Sequence, residues 1–359
     1  MTESQAYIAF NLAENVGFAT VEKLVAKAGS AVSAWEMFPR KISRTGGDVD
    51  WLGEEEMASK FGVSIVTPAD AAYPRELLAF PGAPLALYVK GKVESLSKPS
   101  IAIVGTRRAT SYGRSLARCL ASDLAAAGWS IVSGLALGID AEAHRGALDG
   151  GGTTVGVLGS ALDRFFPEQN RDLAREMIAA EGAVVSEFPF GRPADTTTFP
   201  IRNHVVAALT KGVVAVECPL RSGTCITVSM AAEMGKTVMA MPGRVDDRIS
   251  AGCLKFIRDG ALLVRNADDV LEAISGFSSL LSARSAPKQS RKDPQTPDYS
   301  PEEAMIMLHL DEVGITVDDI VCKTSLPVEK VNALAMALRI KGFVRFLPGN
   351  RIALAAPRR

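Results

Sequence analysis

The feature that most constrains the fold is a pattern repeated between residues 63 and 275, in which an apolar strand, a glycine or serine turn and an amphipathic helix follow one another. Apolar runs predict strands at 100–104, 129–132, 154–158, 183–185, 213–216 and 237–240. This alternation predicts an α/β domain with a mostly parallel, doubly wound sheet and right-handed crossovers. In such a sheet the turns at the carboxyl ends of the parallel strands share one edge, called the rim below.

Three other regions flank this domain. Residues 1–62 carry apolar residues at helical spacing, such as Val21, Leu24 and Val25, between Gly17 and Gly29. They predict a small helical domain of the SAM or helix-hairpin-helix type, for which we favour packing on its neighbour over DNA binding. Residues 276–300 are rich in Ser, Pro and Lys and are predicted to be a flexible linker.

Residues 301–359 predict three helices followed by two strands, the order of a winged-helix domain. The third helix of such a domain often enters a DNA groove, where Lys330, Asn332, Arg339 and Lys341 are the candidate contacts. That helix is otherwise mostly apolar, as at Met336. We therefore favour protein docking or a structural role over groove binding.

Composition limits the classes of function. The chain has 359 residues, 47% of them hydrophobic, so it buries a large core. Lys plus Arg and Asp plus Glu both number 40, so a site for a polyanion must be a local cluster of cations. No stretch approaches the roughly 20 apolar residues of a membrane span, and the amino terminus has no basic segment before an apolar run. The sequence predicts a cytoplasmic protein with no membrane partner.

Metal and cofactor sites are not indicated. The five cysteines contain no Cys-x-x-Cys pair and the histidines number only three, which argues against a disulfide framework, a zinc site or a His-rich metal centre. The turn after residue 104 lacks the dinucleotide-binding glycines, and Met230 replaces a glycine that a phosphate-binding loop before Lys236 needs. We predict no cofactor and no metal.

The rim carries residues suited to phosphate. Backbone N–H groups at helix starts bind anions, and an arginine guanidinium donates two parallel hydrogen bonds to a phosphate. The candidate DNA or phosphate contacts are Gly105, Thr106, Arg107, Arg108, Ser133, Gly134, Arg202, Asn203, Ser222, Gly223 and Thr224. Less certain members of this set are Lys211, Arg221, Arg244 and Phe199. A row of phosphate-sized sites beside phenylalanines is typical of single-stranded nucleic acid binding.

A recognisable catalytic set is missing, since no Gly-x-Ser-x-Gly elbow occurs. Glu187 and Glu217 remain as acid or base candidates, and Glu217 is equally suited to accepting hydrogen bonds from the turn 222–224. Asp140 and His144 share a helical face, and we favour a hydrogen-bonded structural pair over a metal or catalytic role. We predict no catalytic residues and binding rather than turnover.

A long series of motifs carries a family resemblance. In order they are Tyr73-Pro74, 87–91 (LYVKG), 104–107 (VGTR), 133–136 (SGLA), 138–140 (GID) with His144, Ser186-Glu187, 199–203 (FPIRN), Glu217, 222–227 (SGTCIT), Pro242-Gly243 and Gly252-Cys253. With them the chain resembles the DprA, or Smf, family of DNA-processing proteins of bacterial natural transformation. The flanking helical and winged-helix regions also resemble those of the family.

The resemblance implies an extended Rossmann-like domain that binds single-stranded DNA, forms a homodimer and loads the RecA recombinase onto incoming strands, without catalysing a reaction. It implies that Arg107, and Arg202 with Asn203, are DNA contacts. Two departures bear on this site. Phe166-Pro167-Glu168 stands where the family often has Tyr-Pro and a basic residue, so Arg171 is a candidate substitute, and His204 stands where a second arginine is common. The apolar stretch 254–264 is a candidate for the dimer and RecA surfaces.

Two other functions stay open. The first is a Rossmann-like enzyme that cleaves nucleoside monophosphates, although the turn here is Arg-Ser-Gly-Thr and lacks the leading glycine pair of that class. The second is a regulator that binds duplex DNA through the winged helix, with the rim as a vestigial pocket.

Overall fold

The computed structural model describes residues 1–38, 42–44, 46–80, 82–275, 300–311, 314–324, 326–341, 343–347 and 351–354. These residues form two compact units, which divide within the segment predicted as a linker. The predicted linker residues 276–299 and the turn 348–350 lie outside the described residues.

The first unit is built on a nine-stranded sheet with the order β1-β2-β6-β5-β4-β3-β7-β8-β9. Its strands are β1 Ser64–Val66, β2 Leu87–Gly91, β3 Ser100–Val104, β4 Ser130–Ser133, β5 Thr154–Val157, β6 Ala183–Ser186, β7 Gly212–Ala215, β8 Thr237–Ala240 and β9 Leu262–Leu263. The seven strands from β3 to β9 pair in parallel, whereas β2 pairs antiparallel with both β1 and β6. The chain runs outward in one direction from β3 to β6 and in the other from β7 to β9.

Helices cover both faces of the sheet. The helices of this unit are α1 Glu3–Leu12, α2 Phe18–Ala28, α3 Ala31–Met37, α4 Trp51–Phe61, α5 Arg75–Leu78, α6 Ser111–Ala126, α7 Ile139–Asp149, α8 Arg171–Ala179, α9 Thr198–Ala208, α10 Gly223–Glu233, α11 Ala251–Arg258 and α12 Ala267–Ser275. Side chains alternate between the faces, as expected of a strand: Ile101 and Ile103 of β3 pack with α6 and α7, and Ala102 and Val104 pack on the opposite side with α9 and α10. This arrangement confirms the predicted doubly wound α/β fold.

The helical region 1–62 packs on the sheet within the same unit. Thr2 caps α1 through its hydroxyl, and Phe10 and Trp35 pack edge to face in the small core, with ring centroids 5.0 Å apart. Asn11 donates a hydrogen bond to the buried Tyr88 hydroxyl of β2, and Glu54 accepts one from the Phe190 N–H. These polar contacts fix the helical region against the sheet.

The second unit has the architecture of a winged helix. It contains α13 Pro301–Met307, α14 Val317–Thr324 and α15 Val328–Ile340, with a sheet of β10 Ile315–Thr316, β11 Val344–Leu347 and β12 Arg351–Leu354 in the order β10-β12-β11. Ile306, Ile320, Val331 and Leu338 are fully buried in its core. The predicted three helices and two strands are confirmed, and β10 is an additional short strand.

The cationic side chains proposed to bind a DNA groove already contact other side chains of this unit. Lys330 pairs with Glu302, Lys341 pairs with the buried Glu303, and the Arg339 guanidinium lies 5.2 Å from the centre of the Phe346 ring. The charges of Lys330 and Lys341 are therefore partly neutralised before any DNA contact.

None of the helices in the described parts of the chain is long and apolar enough to cross a membrane.

The predicted pairing of Asp140 with His144 is wrong. Both side chains are buried, but the Asp140 carboxylate accepts from the Gly134 N–H at 3.1 Å, whereas His144 Nδ1 lies 2.7 Å from the Thr154 hydroxyl oxygen. Because that hydroxyl donates to the Ile131 carbonyl, His144 Nδ1 carries the proton. Burial lowers the pKa of His144 to about 3, so the ring is neutral.

We expect His144 to make the first unit acid-sensitive. The unfolded chain takes up a proton near the ordinary histidine pKa of about 6.5, whereas the folded chain does so only near 3, so stability falls as the pH drops through this window. His144→Asn retains a donor for Thr154 and should remove this component, worth about 1.4 kcal/mol per pH unit. Urea titrations at several pH values, followed by tryptophan fluorescence, measure it, since Trp35, Trp51 and Trp129 all lie in this unit.

His309→Asn, in the second unit, is the matched control. Parallel acid profiles for wild type and His144→Asn would contradict this account of His144.

Candidate nucleic-acid interface

The main cavity at the rim lies where the sheet reverses its winding. Its walls come from the turn after β3, at 105–108, and the turn after β7, at 219–224, together with α9. Ligands of doubly wound sheets bind at such a reversal because the turns of the two neighbouring strands diverge there and leave a crevice. The cavity has a volume of about 540 Å³.

Ten of the eleven main candidate residues line this cavity. They are Gly105, Thr106, Arg107, Arg108, Gly134, Arg202, Asn203, Ser222, Gly223 and Thr224. Of the less certain candidates, Arg221 and Phe199 also line it. The structure thus brings together residues that are more than 100 positions apart in the chain.

One uncapped helix start faces the cavity. Helix α10 begins after Ser222, whose side chain accepts no hydrogen bond from the first turn, and Gly223 and Thr224 line the cavity. The start of α9 is different, because the Asp195 carboxylate accepts from the N–H groups of Thr197 and Thr198. Unsatisfied N–H groups and the positive end of one helix dipole therefore favour an anion at the start of α10.

Arg202 does not project freely into the cavity. Its side chain is only 5% exposed, and one guanidinium nitrogen donates to the carbonyl oxygens of both Gly134 and Val157. Gly134 directly follows the last residue of β4, and Val157 is the last residue of β5. Burial lowers the pKa of Arg202 to about 10, partly opposed by the Asp140 carboxylate, so the guanidinium stays protonated at neutral pH.

Gly134 is required by this arrangement. A Cβ atom on Gly134 would lie 2.7 Å from the Arg202 guanidinium carbon, so a larger residue would displace the arginine. Gly138, with φ +83°, is also required, because a Cβ there would overlap the Thr106 carbonyl oxygen. These two glycines let the turn after β4 approach both Arg202 and the turn after β3 closely.

Asn203 links Arg202 to the turn before α10. Its side-chain oxygen accepts from Arg202 Nε at 3.1 Å, and its amide nitrogen donates to the Gly223 carbonyl at 3.3 Å. The Arg-Asn pair therefore joins the ends of β4 and β5 to the Ser-Gly-Thr turn.

Glu217 stabilises a different turn from the predicted one. Its carboxylate accepts from the N–H and the hydroxyl of Thr110, which caps α6, and its backbone carbonyl accepts from the Thr106 N–H at 2.7 Å. No hydrogen bond from 222–224 to the Glu217 carboxylate occurs among the described residues, so the predicted brace of that turn is wrong. The acidic side chain points at the helix start beside it because Thr110 offers two donors at once.

Three arginines supply the exposed positive charge. Arg107, Arg108 and Arg221 are exposed, line the cavity and make no ion pair with any described residue. The Arg107 guanidinium carbon lies 4.7 Å from the centre of the Phe199 ring, a cation–π contact that holds the side chain over the cavity mouth.

A small apolar slot adjoins the main cavity. It has a volume of about 60 Å³ and shares Arg107, Gly134, Phe199 and Arg202 with the main cavity. The slot also contains Phe166 and Leu137, whose side chains are 48% and 39% exposed, and the Phe166 and Phe199 ring centroids are 6.2 Å apart. The exposed Phe166 ring and the half-buried Phe199 ring thus stand beside Arg107.

The remaining sequence candidates lie elsewhere or are already bonded. Ser133 is fully buried and donates to the Ile103 carbonyl, so it joins two strands instead of facing the cavity. Lys211 precedes β7, at the opposite edge from the rim, and pairs with Glu76. Its prediction as a rim residue is wrong because a residue before a strand lies at the amino end.

Arg171, Arg244 and His204 contribute little charge to the cavity. Arg171 pairs with Glu168 at 2.7 Å and Arg244 with Asp246 at 3.0 Å, and neither lines the cavity. His204 packs against Phe80, and burial lowers its pKa, so it is neutral at physiological pH.

Sequence reasoning missed several members of the site. Thr110 and the slot residues Phe166 and Leu137 were not assigned to it, and Asp140 was assigned to the wrong partner. Thr110 was detectable, since a threonine before a helix is a common cap. The described residues include no group of three potential ligands that would hold a metal ion.

Comparison with known proteins identifies the family. Residues 64–275 match the family described as DNA recombination-mediator protein A, and residues 290–350 match the DprA winged helix domain. The chain belongs to this family of recombination mediators. The match covers the whole sheet and the rim, so the family and its fold, expected from the motifs, are confirmed.

Relatives extend the match over most of the chain. The protein Smf of Synechocystis sp. is 30% identical over 98% of each chain, and that of Escherichia coli is 34% identical over 80% of this chain and 76% of its own length. The DNA processing protein DprA of Streptococcus pneumoniae is 39% identical over 56% of this chain and 71% of its own.

Solved structures agree with the fold. The X-ray structure of DNA processing protein A from Streptococcus pneumoniae superposes with a TM-score of 0.63 at 28% identity, covering 76% of this chain and 97% of that one. DNA processing protein A from Helicobacter pylori gives a TM-score of 0.53 at 28% identity, covering 61% and 97%. The Helicobacter pylori protein has a single-stranded DNA binding mode that is described as unique.

We expect Arg202→Ala to destabilise the first unit by about 3 kcal/mol, because it leaves two buried carbonyls without their donor and the Asp140 carboxylate without its counter-charge. Arg107→Ala, which removes an exposed arginine from the same cavity, should stay within about 0.5 kcal/mol of wild type. Urea midpoints read by tryptophan fluorescence make the comparison. Equal stability of the two variants would show that Arg202 is free to bind a ligand.

Proposed function

We propose that the chain binds single-stranded DNA along the rim and delivers it to RecA during natural transformation. The observation that carries this proposal is the convergence of Arg107, Arg108 and Arg221 with the uncapped start of α10 at one cavity, beside the exposed Phe166 ring. Single-stranded DNA binding by the Helicobacter pylori relative, which has the same fold, supports it.

The division of labour within the site follows from burial. Arg107, Arg108 and Arg221 are the phosphate contacts, together with backbone N–H groups at 222–224. Arg202 and Asn203 do not contact the phosphate; they fix the turns that carry those groups. We therefore expect exposed side chains to hold the phosphate on a frame that is fixed by buried hydrogen bonds.

The aromatic slot favours a single strand over a duplex. A base stacks on an aromatic ring only when its face is free, and in a duplex both faces are covered by neighbouring base pairs. The Phe166 ring lies 6.2 Å from the Phe199 ring, which in turn lies 4.7 Å from the Arg107 guanidinium, so a stacking surface and a phosphate contact are adjacent. Stacking of this kind tolerates any base, which suits a protein that handles DNA of any sequence.

The same geometry favours binding over catalysis. The carboxylates nearest the cavity are already committed, since Asp140 accepts from Gly134 and Glu217 accepts from Thr110. A nucleoside monophosphate would fit a cavity of this volume, but these carboxylates would have to leave their partners to act on it. The role that we propose is therefore that of a non-enzymatic mediator in the cytoplasm.

We expect Arg107→Ala to weaken binding to a labelled dT oligonucleotide and to lower the slope of log K against log salt by about 0.7, the value for one neutralised phosphate of a single strand. Fluorescence anisotropy over a salt series measures both quantities. Lys211→Ala, at the opposite edge of the sheet, is the matched control and should bind as wild type does. Matched duplex should bind more weakly than the single strand.

RecA loading is read with the same proteins, as the lag before RecA hydrolyses ATP on oligonucleotides coated with single-strand binding protein. Wild type and Lys211→Ala should shorten the lag, and Arg107→Ala should not. Unchanged DNA binding by Arg107→Ala would contradict the proposed DNA site and favour a small nucleotide as the ligand. Nucleobase release from AMP is then the assay.

We also propose a homodimer through the Rossmann-like domain. Strand β9 ends the sheet, so one of its edges has no partner strand among the described residues, and its Leu262 and Leu263 are 47% and 48% exposed. An edge strand with exposed leucines is a surface that proteins usually cover. Both leucines lie within the stretch 254–264 that the sequence indicated, and a second copy is the occupant that we favour.

The double substitution Leu262→Arg/Leu263→Arg should convert the dimer to a monomer, because it places charges at the paired edges. Light scattering after gel filtration should show the mass fall to half. Met37→Arg, which changes a side chain that is 62% exposed in the helical region, is the control and should stay dimeric. A wild-type protein that is monomeric at micromolar concentration would refute the dimer.

A further inference from the structure

Two cysteines lie at the base of the rim turn that carries Arg221. Cys218 follows β7, Cys225 lies in the first turn of α10, and their sulfur atoms are 3.4 Å apart. Five of the six residues between them, all except Leu220, line one side of the main cavity. The sequence predicts buried free thiols, because the five cysteines are an odd set without a Cys-x-x-Cys pair.

We propose that Cys218 and Cys225 form a reversible disulfide that switches the DNA site off when the chain meets a hydroperoxide. The regulatory half of this proposal rests on the proposed function of the rim. The thiol chemistry stands on the geometry of the two sulfurs alone.

The distance permits the bond. A disulfide sulfur pair is about 2.05 Å apart, so each sulfur has to move by roughly 0.7 Å from the present contact. Side-chain rotation and a small shift of the turn provide movement of this size. The third nearby thiol, Cys253, lies 3.5 Å from the Val216 carbonyl oxygen, just beyond the end of β7.

The two thiols differ in accessibility, which sets the order of events. Cys225 is partly exposed and lies in the first turn of α10. Cys218 is fully buried, and burial raises the pKa of its thiol. Cys225 is therefore the thiol that reacts with the oxidant, and Cys218 is the thiol that then attacks the oxidised Cys225 to form the disulfide.

The reaction balances with a hydroperoxide as the only oxidant. The Cys225 thiolate attacks one peroxide oxygen, the O–O bond breaks, and the other oxygen leaves as water or an alcohol after taking a proton. The Cys225 sulfur is then a sulfenic acid. The Cys218 sulfur attacks it, the S–O bond breaks, and the departing hydroxide takes the Cys218 proton to give water. Two electrons and two thiol hydrogens pass to the peroxide.

Closing the bond alters the phosphate-binding turn. In the reduced state the Cys225 sulfur lies 3.4 Å from the carbonyl oxygens of both Pro219 and Leu220, and the Ser222 hydroxyl lies 3.2 Å from the Cys218 sulfur. A disulfide removes the S–H donors of both cysteines and draws α10 toward β7. The turn 219–224 has to rearrange, and with it Arg221 and the N–H groups at the start of α10.

The test compares protein treated with hydrogen peroxide and protein kept in dithiothreitol. Peptide mass spectrometry should show a bond between Cys218 and Cys225 with the loss of two hydrogens, and dithiothreitol should reverse it. Anisotropy with labelled dT oligonucleotide should show at least fivefold weaker binding by the oxidised form. Cys225→Ser and Cys218→Ser should form no such bond and should keep their affinity after treatment.

Cys119→Ser is the matched control, because it removes an exposed thiol from α6 and leaves the pair intact. It should respond to peroxide as wild type does. Absence of the Cys218–Cys225 bond, or its formation with affinity unchanged within twofold, would overturn the proposal. If the reduced protein does not bind the oligonucleotide, the proposed function fails and the regulatory half with it, whereas the peptide map still decides the thiol chemistry.

Discussion

The rim depends on one buried guanidinium. Arg202 holds the carbonyls that end β4 and β5, and through Asn203 it reaches the turn before α10. Three strand ends on both sides of the winding reversal are thus tied to one side chain of α9. Desolvating a buried charge of this kind costs free energy, and its several hydrogen bonds offset that cost while they fix a geometry. The exposed arginines at the rim are presented on this frame.

Most of the fold was predictable from the sequence because its signal is local. The six central parallel strands are short apolar runs that end in glycine or serine turns, and each strand was found within about two residues of its predicted position. Strands β1 and β9 have only three and two residues, and they exist because a longer neighbour offers a free edge. Pairing of that kind depends on tertiary contacts that periodicity does not contain.

The candidate site was predictable in its membership but not in its roles. Parallel strands bring their carboxyl ends together, so placing Arg107, Arg202 and Ser222 at one rim followed from topology. Whether an arginine is exposed or buried depends on distant carbonyls, and no local pattern indicates that Arg202 would meet Gly134 and Val157. The cysteine pair was hidden for a similar reason, since its contact depends on how the turn 219–224 folds back.

The small number of unpaired arginines has a consequence for how readily a bound DNA strand could pass to another protein. A protein that grips a strand through many ion pairs releases it slowly and loses affinity steeply as salt rises. With three free arginines lining the described cavity, the electrostatic part of log K changes by only about 2 for a tenfold change in salt. In the binding that we propose, a strand would then be held largely by stacking and by backbone N–H groups. A competing protein that assembles along the same strand can displace such contacts stepwise, without first breaking a dense network of charges.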